Sequence, residues 1–249
     1  MVRMSLKHAL ALLLAFASQS LWAANLGVTP VAIHMGGAVN RTTVSIVNSG
    51  TDAVTMQAEA IAWKRVDGVD QDGETNDVMV NPAVFTIEPG QSQIVRVGLR
   101  RPNDQPVEAT YRLVLREVPV VREEAPAAGT TVRVLVAMRL PIYVAPNQVK
   151  FDEQWDVKSD AKGNVIVKLQ NRGNVHYKVG SIKLRADDGK SGGVPLASTT
   201  EGAVLFPGES RSFNLKQAQQ RALPRQPVTL EVFTDRGPQY ISTELNKGD

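Results

Sequence analysis

The residues that most often do chemistry in proteins are scarce in this chain of 249 residues. Cysteine is absent, and the only three histidines are His8, His34 and His176. A zinc site needs clustered Cys or His ligands, and no such cluster is present. The acidic segment 70–74 resembles a fragment of a calcium loop without its full pattern. We therefore predict a solvated acidic loop across residues 67–77, and a protein with no metal or nucleotide cofactor.

An enzyme is also disfavoured, because an active site needs a polar cleft with perturbed titrating groups. The sequence does not indicate one. The two histidines of the mature chain fall in different predicted domains, and each is most simply a surface or hydrogen-bonded strand residue. Function must then lie in a surface rather than in a reactive centre.

The best candidate for such a surface is the stretch 131–144, which is rich in β-branched residues and contains no glycine. This composition predicts a long strand. The period of two places Val132, Val134 and Val136 on one face. Leu135 and Arg139 fall on the other face. A strand that is apolar on both faces is either buried between two sheets or covered on one face by another protein, and both explanations remain open at this point.

The first residues predict an export signal at 1–23. Arg3 and Lys7 precede a short apolar run, and a plausible cleavage site precedes Ala24. No later stretch is apolar for long enough to span a bilayer, so no membrane insertion is expected. Removal of the signal leaves 26 basic against 25 acidic residues. This balance gives no support for nucleic-acid binding.

The mature chain predicts an all-β fold of two tandem sandwiches, because short alternating runs are separated by Gly, Pro and Asn turns. Pro30 interrupts the first strand, which indicates a sheet edge or a switch between sheets. We place the domains at 24–145 and 146–249. Two pairs of similar segments, which we call the sequence echoes, support the tandem repeat. The strand and turn at 44–50 resemble those at 167–173, and the turn at 87–92 resembles that at 205–210.

Several segments together resemble the periplasmic pilus chaperones of the chaperone–usher pathway, the PapD-like family. The matching pieces are Asn48-Ser49-Gly50, the block 81–97 with its Ile-Glu-Pro-Gly-Gln-Ser turn, and Tyr111–Pro119, followed by the alternating stretch 131–144. The resemblance implies two immunoglobulin-like domains and no enzymatic activity. It also implies a periplasmic location.

By this resemblance, the chain lends its edge strand to an incomplete pilus or fimbrial subunit, a form of β-strand addition. Val132, Val134 and Val136 would fill the groove of the subunit, which would then pass to an outer-membrane usher. Because an exposed edge strand templates pairing, the free protein is also expected to self-associate through it.

The family also implies polar site residues. Arg139 matches a basic residue that anchors the terminal carboxylate of the subunit. The second family anchor lies in the first strand, where this chain has no Arg or Lys, so Arg112 is the substitute. Glu108 and Asp235 match two acidic positions that tie the domains together, and either Arg101 or Arg236 is expected to supply their missing basic partner.

The alternative to a chaperone is a structural or adhesive protein built from the same two sandwiches. In that protein the stretch 131–144 would be paired within the fold, and a surface ligand would bind elsewhere.

Overall fold

The computed structural model describes residues 26–119, 134–160, 164–186, 194–217, 223 and 227–247. The described residues form nineteen β-strands and no helix. The fold is all-β, with two tandem immunoglobulin-like sandwiches, as the sequence predicts. The predicted signal at 1–23 lies outside the described residues.

The first sandwich is built from ten strands in two sheets. In chain order these are β1 (Leu26–Thr29), β2 (Ile33–Gly36), β3 (Arg41–Asn48), β4 (Val54–Val66), β5 (Val69–Gly73), β6 (Val78–Asn81), β7 (Val84–Ile87), β8 (Ser92–Leu99), β9 (Ala109–Glu117) and β10 (Ala137–Ala145). One sheet has the order β1-β3-β8-β6, and the other has the order β2-β10-β9-β4-β5, with β7 also paired to β4. The chain crosses from the first sheet to the second at Pro30, which agrees with the predicted switch.

The first core lies between these two sheets. Alternate residues of the core-forming strands point inward, as the period of two requires. Val44 and Ile46 of β3 face inward from one sheet, and Leu113 and Leu115 of β9 face inward from the other. All four are fully buried, so the alternating pattern in the sequence identifies the core-facing side of each strand.

The second sandwich contains the remaining nine strands. In chain order these are β11 (Glu153–Ser159), β12 (Val165–Asn171), β13 (Tyr177–Ala186), β14 (Ala197–Thr199), β15 (Ala203–Leu205), β16 (Ser210–Gln217), β17 (Val228–Thr234), β18 (Gly237–Thr243) and β19 (Asn246–Lys247). Their order is β18-β17-β13-β14-β16-β12-β11-β19, with β15 paired to β13. The predicted boundary between residues 145 and 146 falls where β10 ends, before β11 begins, and it remains a prediction.

The sequence echoes correspond to one buried asparagine in each domain. The Asn48 side chain donates to the carbonyl of Ile87 at 3.0 Å, and its oxygen accepts from the Gly50 amide at 2.9 Å. Asn171 repeats both bonds with Leu205 at 3.1 Å and Gly173 at 3.0 Å. Each asparagine therefore fixes the end of one strand against the turn that precedes another.

The Pro-Gly turns of the two domains also match. Gly90 and Gly208 have φ of 71° and 85°, in the left-handed region that favours glycine. Their amides donate to the backbone carbonyls of Asn48 and Asn171, each at 2.8 Å. The short sequence matches thus mark the same local structure twice.

We expect Asn171→Ala to lower the free energy of unfolding by about 2 kcal/mol, because the buried carbonyls of Val175 and Leu205 lose a donor. Urea denaturation measures this change. The matched control is Asn214→Ala, an exposed asparagine of β16 in the same domain, which should change stability by less than about 0.5 kcal/mol. Equal shifts in the two variants would contradict the structural role of Asn171.

Candidate functional site

Strand β10 is paired on both sides over only part of its length. Residues 137–144 pair antiparallel with β9, but β2 reaches only residues 142–145. Within the described part of the chain, no strand pairs with the other side of residues 137–141. We call this side the open edge of β10. Its unpaired backbone groups form a template for another strand.

Along residues 137–142 the side chains of β10 alternate between the first core and the outer face of the sheet. Met138, Leu140 and Ile142 belong to the first core, whereas Ala137 and Arg139 are exposed. The even positions therefore face the side on which the sequence places the three valines. The apolar row of the core continues toward Val136 and Val134, beyond the first residue of the strand.

The residues just before β10 carry this apolar row out of the sandwich. Val134 is 78% exposed and Leu135 is 45% exposed. Val136 is held to the end of β9, since its amide donates to the Glu117 carboxylate at 3.1 Å and its carbonyl accepts from the Glu117 amide at 2.9 Å. Val134 therefore leaves the sandwich on the core-facing side of β10, next to the open edge.

The predicted strand at 131–144 is wrong in its bounds. The strand begins at Ala137 and ends at Ala145. Glu117 is the last residue of β9, so Val136 keeps a single backbone bond to it, and residues 134 and 135 have no strand of β9 opposite them. Val132 lies outside the described residues, so its predicted role is not tested. Val134 and Val136 are described, and their placement beside the open edge is compatible with the prediction.

Arg112 and Arg139 lie together on the outer face of the six-stranded sheet, as neighbours on β9 and β10. Asp72 of β5 bridges them: one carboxylate oxygen accepts from Arg112 at 2.9 Å, and the other accepts from Arg139. The hydrogen bond from Arg139 is the main reason that the pKa of Asp72 lies below its usual value. Arg112 also stacks over the ring of Trp63, 4.1 Å from the ring centre.

Asp70 joins the same cluster from a second side. Burial acts to raise its pKa, but hydrogen bonds from Arg65 and Arg112 outweigh this effect and lower it. Arg65 donates to Asp70 at 3.0 Å and reaches across to the second domain, where it donates to the Val204 carbonyl at 2.9 Å and to Glu209 at 3.2 Å. Asp70 therefore connects Arg112 to the domain interface.

The predicted acidic loop at 67–77 is wrong over much of its length. Residues 69–73 form β5, which pairs with the end of β4. The reason is electrostatic: a carboxylate-rich strand is a poor β former alone, but here the arginines of β4, β9 and β10 neutralise its side chains. The sequence prediction missed both aspartates, although their spacing of two, which places them on one face of a strand, was an available signal.

His176 occupies the centre of the domain interface. Both carboxylate oxygens of Glu108 lie 2.9 Å from its Nδ1, and an oxygen of Asp235 lies 3.5 Å from its Nε2. The side chains of His176 and Glu108 are 9% and 4% exposed, so this contact is shielded from water. Glu108 and Asp235 thus meet across the interface, with a histidine between them.

The predicted basic partner of these two acids was wrong. Arg101 bonds Asp77 at 3.3 Å and Arg236 bonds Glu153 at 2.8 Å, so both arginines are committed elsewhere. The sequence predicts His176 as a surface or hydrogen-bonded strand residue, and the structure places it in the domain interface instead. In the sequence, His176 stands between a turn and a strand. Many residues occupy such positions, so this position does not identify an interface residue.

Aromatic rings complete the contact between the domains. Tyr143 of β10 stacks on His176, with ring centres 3.7 Å apart, and burial raises the pKa of Tyr143 to about 12. Trp63 meets Phe206 of the second domain edge-on at 4.9 Å. Trp63, Tyr143 and Phe206 are all buried. Because Tyr143 is part of β10, the interface also fixes the end of the strand that carries the open edge.

The described residues contain no group of three or more His, Cys, Asp or Glu side chains arranged to hold a metal ion. In the same part of the chain, no helix has the length and hydropathy needed to cross a bilayer.

Solved structures with this fold include pilus assembly chaperones. One is the CsuC–CsuE chaperone–tip adhesion subunit pre-assembly complex of archaic Csu pili from Acinetobacter baumannii, with 16% identity, a TM-score of 0.58, and coverage of 91% of this chain and 100% of that chain. The Salmonella enterica SafA pilin–SafB chaperone complex matches with 15% identity, a TM-score of 0.58, and coverage of 89% and 97%. The E. coli chaperone DraB matches with 17% identity, a TM-score of 0.56, and coverage of 90% and 97%.

At these identities the likeness establishes the fold alone. The sequence itself gives the family. The model of the pili and flagellar-assembly chaperone family, PapD N-terminal domain, matches residues 25–150, just over half of the chain. The chain therefore belongs to this family, which assembles pili and is not enzymatic. No protein of curated function matches the sequence significantly.

We expect His176→Ala to lower the free energy of unfolding by about 3 kcal/mol, because the buried Glu108 carboxylate loses its imidazole partner and keeps only the backbone amide of residue 176. Urea unfolding followed by tryptophan fluorescence measures this, since Trp63 lies in the same interface. Arg101→Ala is the control, because its side chain is 80% exposed and should contribute less than about 1 kcal/mol. A wild-type unfolding curve for His176→Ala would refute the role of the histidine.

Proposed function

We propose that this protein is a periplasmic chaperone that binds a pilus or fimbrial subunit by lending it the open edge of β10. The observation that carries the proposal is the one-sided pairing of residues 137–141, next to exposed Val134. Membership of the pilus-assembly chaperone family supports the chaperone role. It also favours this role over the structural or adhesive alternative, in which the same strand would be paired within the fold.

The open edge supplies two kinds of interaction to a subunit. Its unpaired backbone groups extend the ladder of the incoming sheet, which gives affinity that does not depend on sequence. Val134 and Val136, with Val132 before them, would enter the subunit core. Each valine transferred from water to such a core contributes about 1.5–3 kcal/mol. The subunit gains a closed edge, which removes a site of aggregation.

The arginine pair supplies a binding site for the terminal carboxylate of the subunit. Arg112 and Arg139 already share one carboxylate, that of Asp72, so their guanidinium groups are spaced for such a ligand. Charge-assisted bonds of this type are among the strongest in proteins. The terminal carboxylate of the subunit would bind here and set the register of the donated strand, without a basic residue in β1.

The proposed location and partners of the protein depend on its export. A chain with a signal at 1–23 reaches the periplasm, where it meets exported subunits and passes them to the outer-membrane usher. A second copy of the chain is a competing partner for the same edge, so the free protein pairs weakly with itself at high concentration. Glu108 and Asp235 hold the two domains together during this cycle and do not contact the subunit.

The proposal is tested by placing a charge on the donated row. We expect Val134→Asp to reduce the yield of co-purified subunit about tenfold or more, because an unpaired carboxylate would enter an apolar groove. The chaperone is co-expressed with each fimbrial subunit encoded by its own organism, and the amount of subunit that co-purifies with it is measured. Stability should stay unchanged, because Val134 contributes little to the chaperone's own core at 78% exposure.

Leu135→Asp is the matched control, because Leu135 is the adjacent exposed residue on the opposite face. It should retain wild-type subunit yield. Equal yields from Val134→Asp and Leu135→Asp would show that the row of alternate valines does not enter the subunit, and would overturn strand donation.

A further inference from the structure

Asp72 occupies the space between Arg112 and Arg139 in the way that a ligand carboxylate would. Each of its two oxygens accepts from a different arginine. This arrangement joins two neighbouring strands, β9 and β10, through a residue of a third strand, β5. The pair of arginines therefore holds a carboxylate even when no subunit is bound.

Asp70, two residues earlier, is fixed differently. It bonds Arg112 and Arg65, and Arg65 is held in turn by the Val204 carbonyl and by Glu209 of the second domain. One partner of Asp70 is thus itself held in place by the second domain. Asp72 has only the two arginines among its described ion pairs, and both lie on the strands that carry the proposed site. The two carboxylates are almost equally exposed, at 36% for Asp72 and 39% for Asp70. The absence of a described tie to the second domain therefore makes Asp72 the carboxylate that is free to leave.

We propose that Asp72 is an internal stand-in for the terminal carboxylate of the bound subunit, and that the subunit displaces it. This inference rests on the proposed function, because it assumes that a strand reaches the open edge. In the free protein Asp72 keeps two neighbouring guanidinium groups from repelling each other. In the complex the incoming carboxylate takes over both bonds, and Asp72 moves into water.

The exchange has a consequence for affinity and for selectivity. The apparent affinity of a ligand that must displace an internal group equals its intrinsic affinity multiplied by the fraction of molecules in which the site is open. A strand that ends in a carboxylate regains both arginine bonds, whereas a strand that ends in a neutral group does not. A neutral end leaves Asp72 in place, so the stand-in weakens the binding only of strands that end in a carboxylate. Its removal should therefore strengthen the binding of those strands selectively.

The test uses the full chain and a short fluorescent peptide of alternating Val and Thr, made with a free carboxyl end and with an amide end. Fluorescence anisotropy gives the affinity for each. We expect the wild type to prefer the acid peptide, and Asp72→Asn to raise the ratio of acid to amide affinity about tenfold. Asp72→Ala, which removes the side-chain acceptor entirely, should raise it at least as much.

Asp67→Asn is the matched control. Asp67 lies in the turn of the same hairpin and forms no ion pair with Arg112 or Arg139 in the described part of the chain. Its φ of 51° suits asparagine. The variant loses the same charge from the same hairpin, so it reports long-range repulsion alone, and its ratio should stay close to that of the wild type.

The outcomes separate the two proposals. If neither peptide binds any variant, strand donation itself fails, and the inference fails with it. If the wild type binds and prefers the acid peptide but Asp72→Asn leaves the ratio unchanged, donation stands and the stand-in is refuted. An equal rise in Asp67→Asn and Asp72→Asn would also refute it, because general charge would then explain the effect.

Discussion

The central constraint in this structure is that β2 pairs with only the last four residues of β10. Proline at position 30 has no backbone N–H to give to a ladder, and the chain crosses there from one sheet to the other. Strand β2 consequently begins only at Ile33 and reaches β10 only at residues 142–145. One side of residues 137–141 is left without a partner in the described fold. A longer β2 would close the sheet and remove the surface on which the proposed function depends.

An exposed strand edge needs a rigid support if it is to present a fixed register. The end of β10 is held at the domain interface through the stacking of Tyr143 on His176, which itself lies between Glu108 and Asp235. The middle of the strand is held by Arg139 and its bond to Asp72. Arg65 connects that same cluster to the second domain. The second sandwich therefore acts on the edge through two separate sets of contacts, one aromatic and one ionic.

The features that could be predicted from the sequence are those set by local periodicity and turn chemistry. The alternating apolar pattern gives the sandwiches, Pro30 gives the switch between sheets, and the echoes around Asn48 and Asn171 mark equivalent turns. The features that could not be predicted depend on partners distant in sequence. Strand β5 has loop-like composition and exists because arginines from three other strands neutralise it.

The interface and the start of β10 were missed for the same reason. Nothing near His176 in the sequence reveals that it meets Glu108, 68 residues away. The stretch 131–144 has strand composition throughout, but a strand also needs a neighbour, and β9 ends too early to pair with residues 134 and 135. Composition sets what a segment can form, and the available partner sets where it stops.

Residue-resolved amide hydrogen exchange across residues 134–141 tests the central claim most directly. It would be measured on the dilute monomer and on a one-to-one complex with a fimbrial subunit. The account predicts fast exchange in the monomer for amides directed away from β9, and strong protection of those amides in the complex. Full protection in the isolated monomer would mean that the edge is already paired within the chain, and would contradict strand donation.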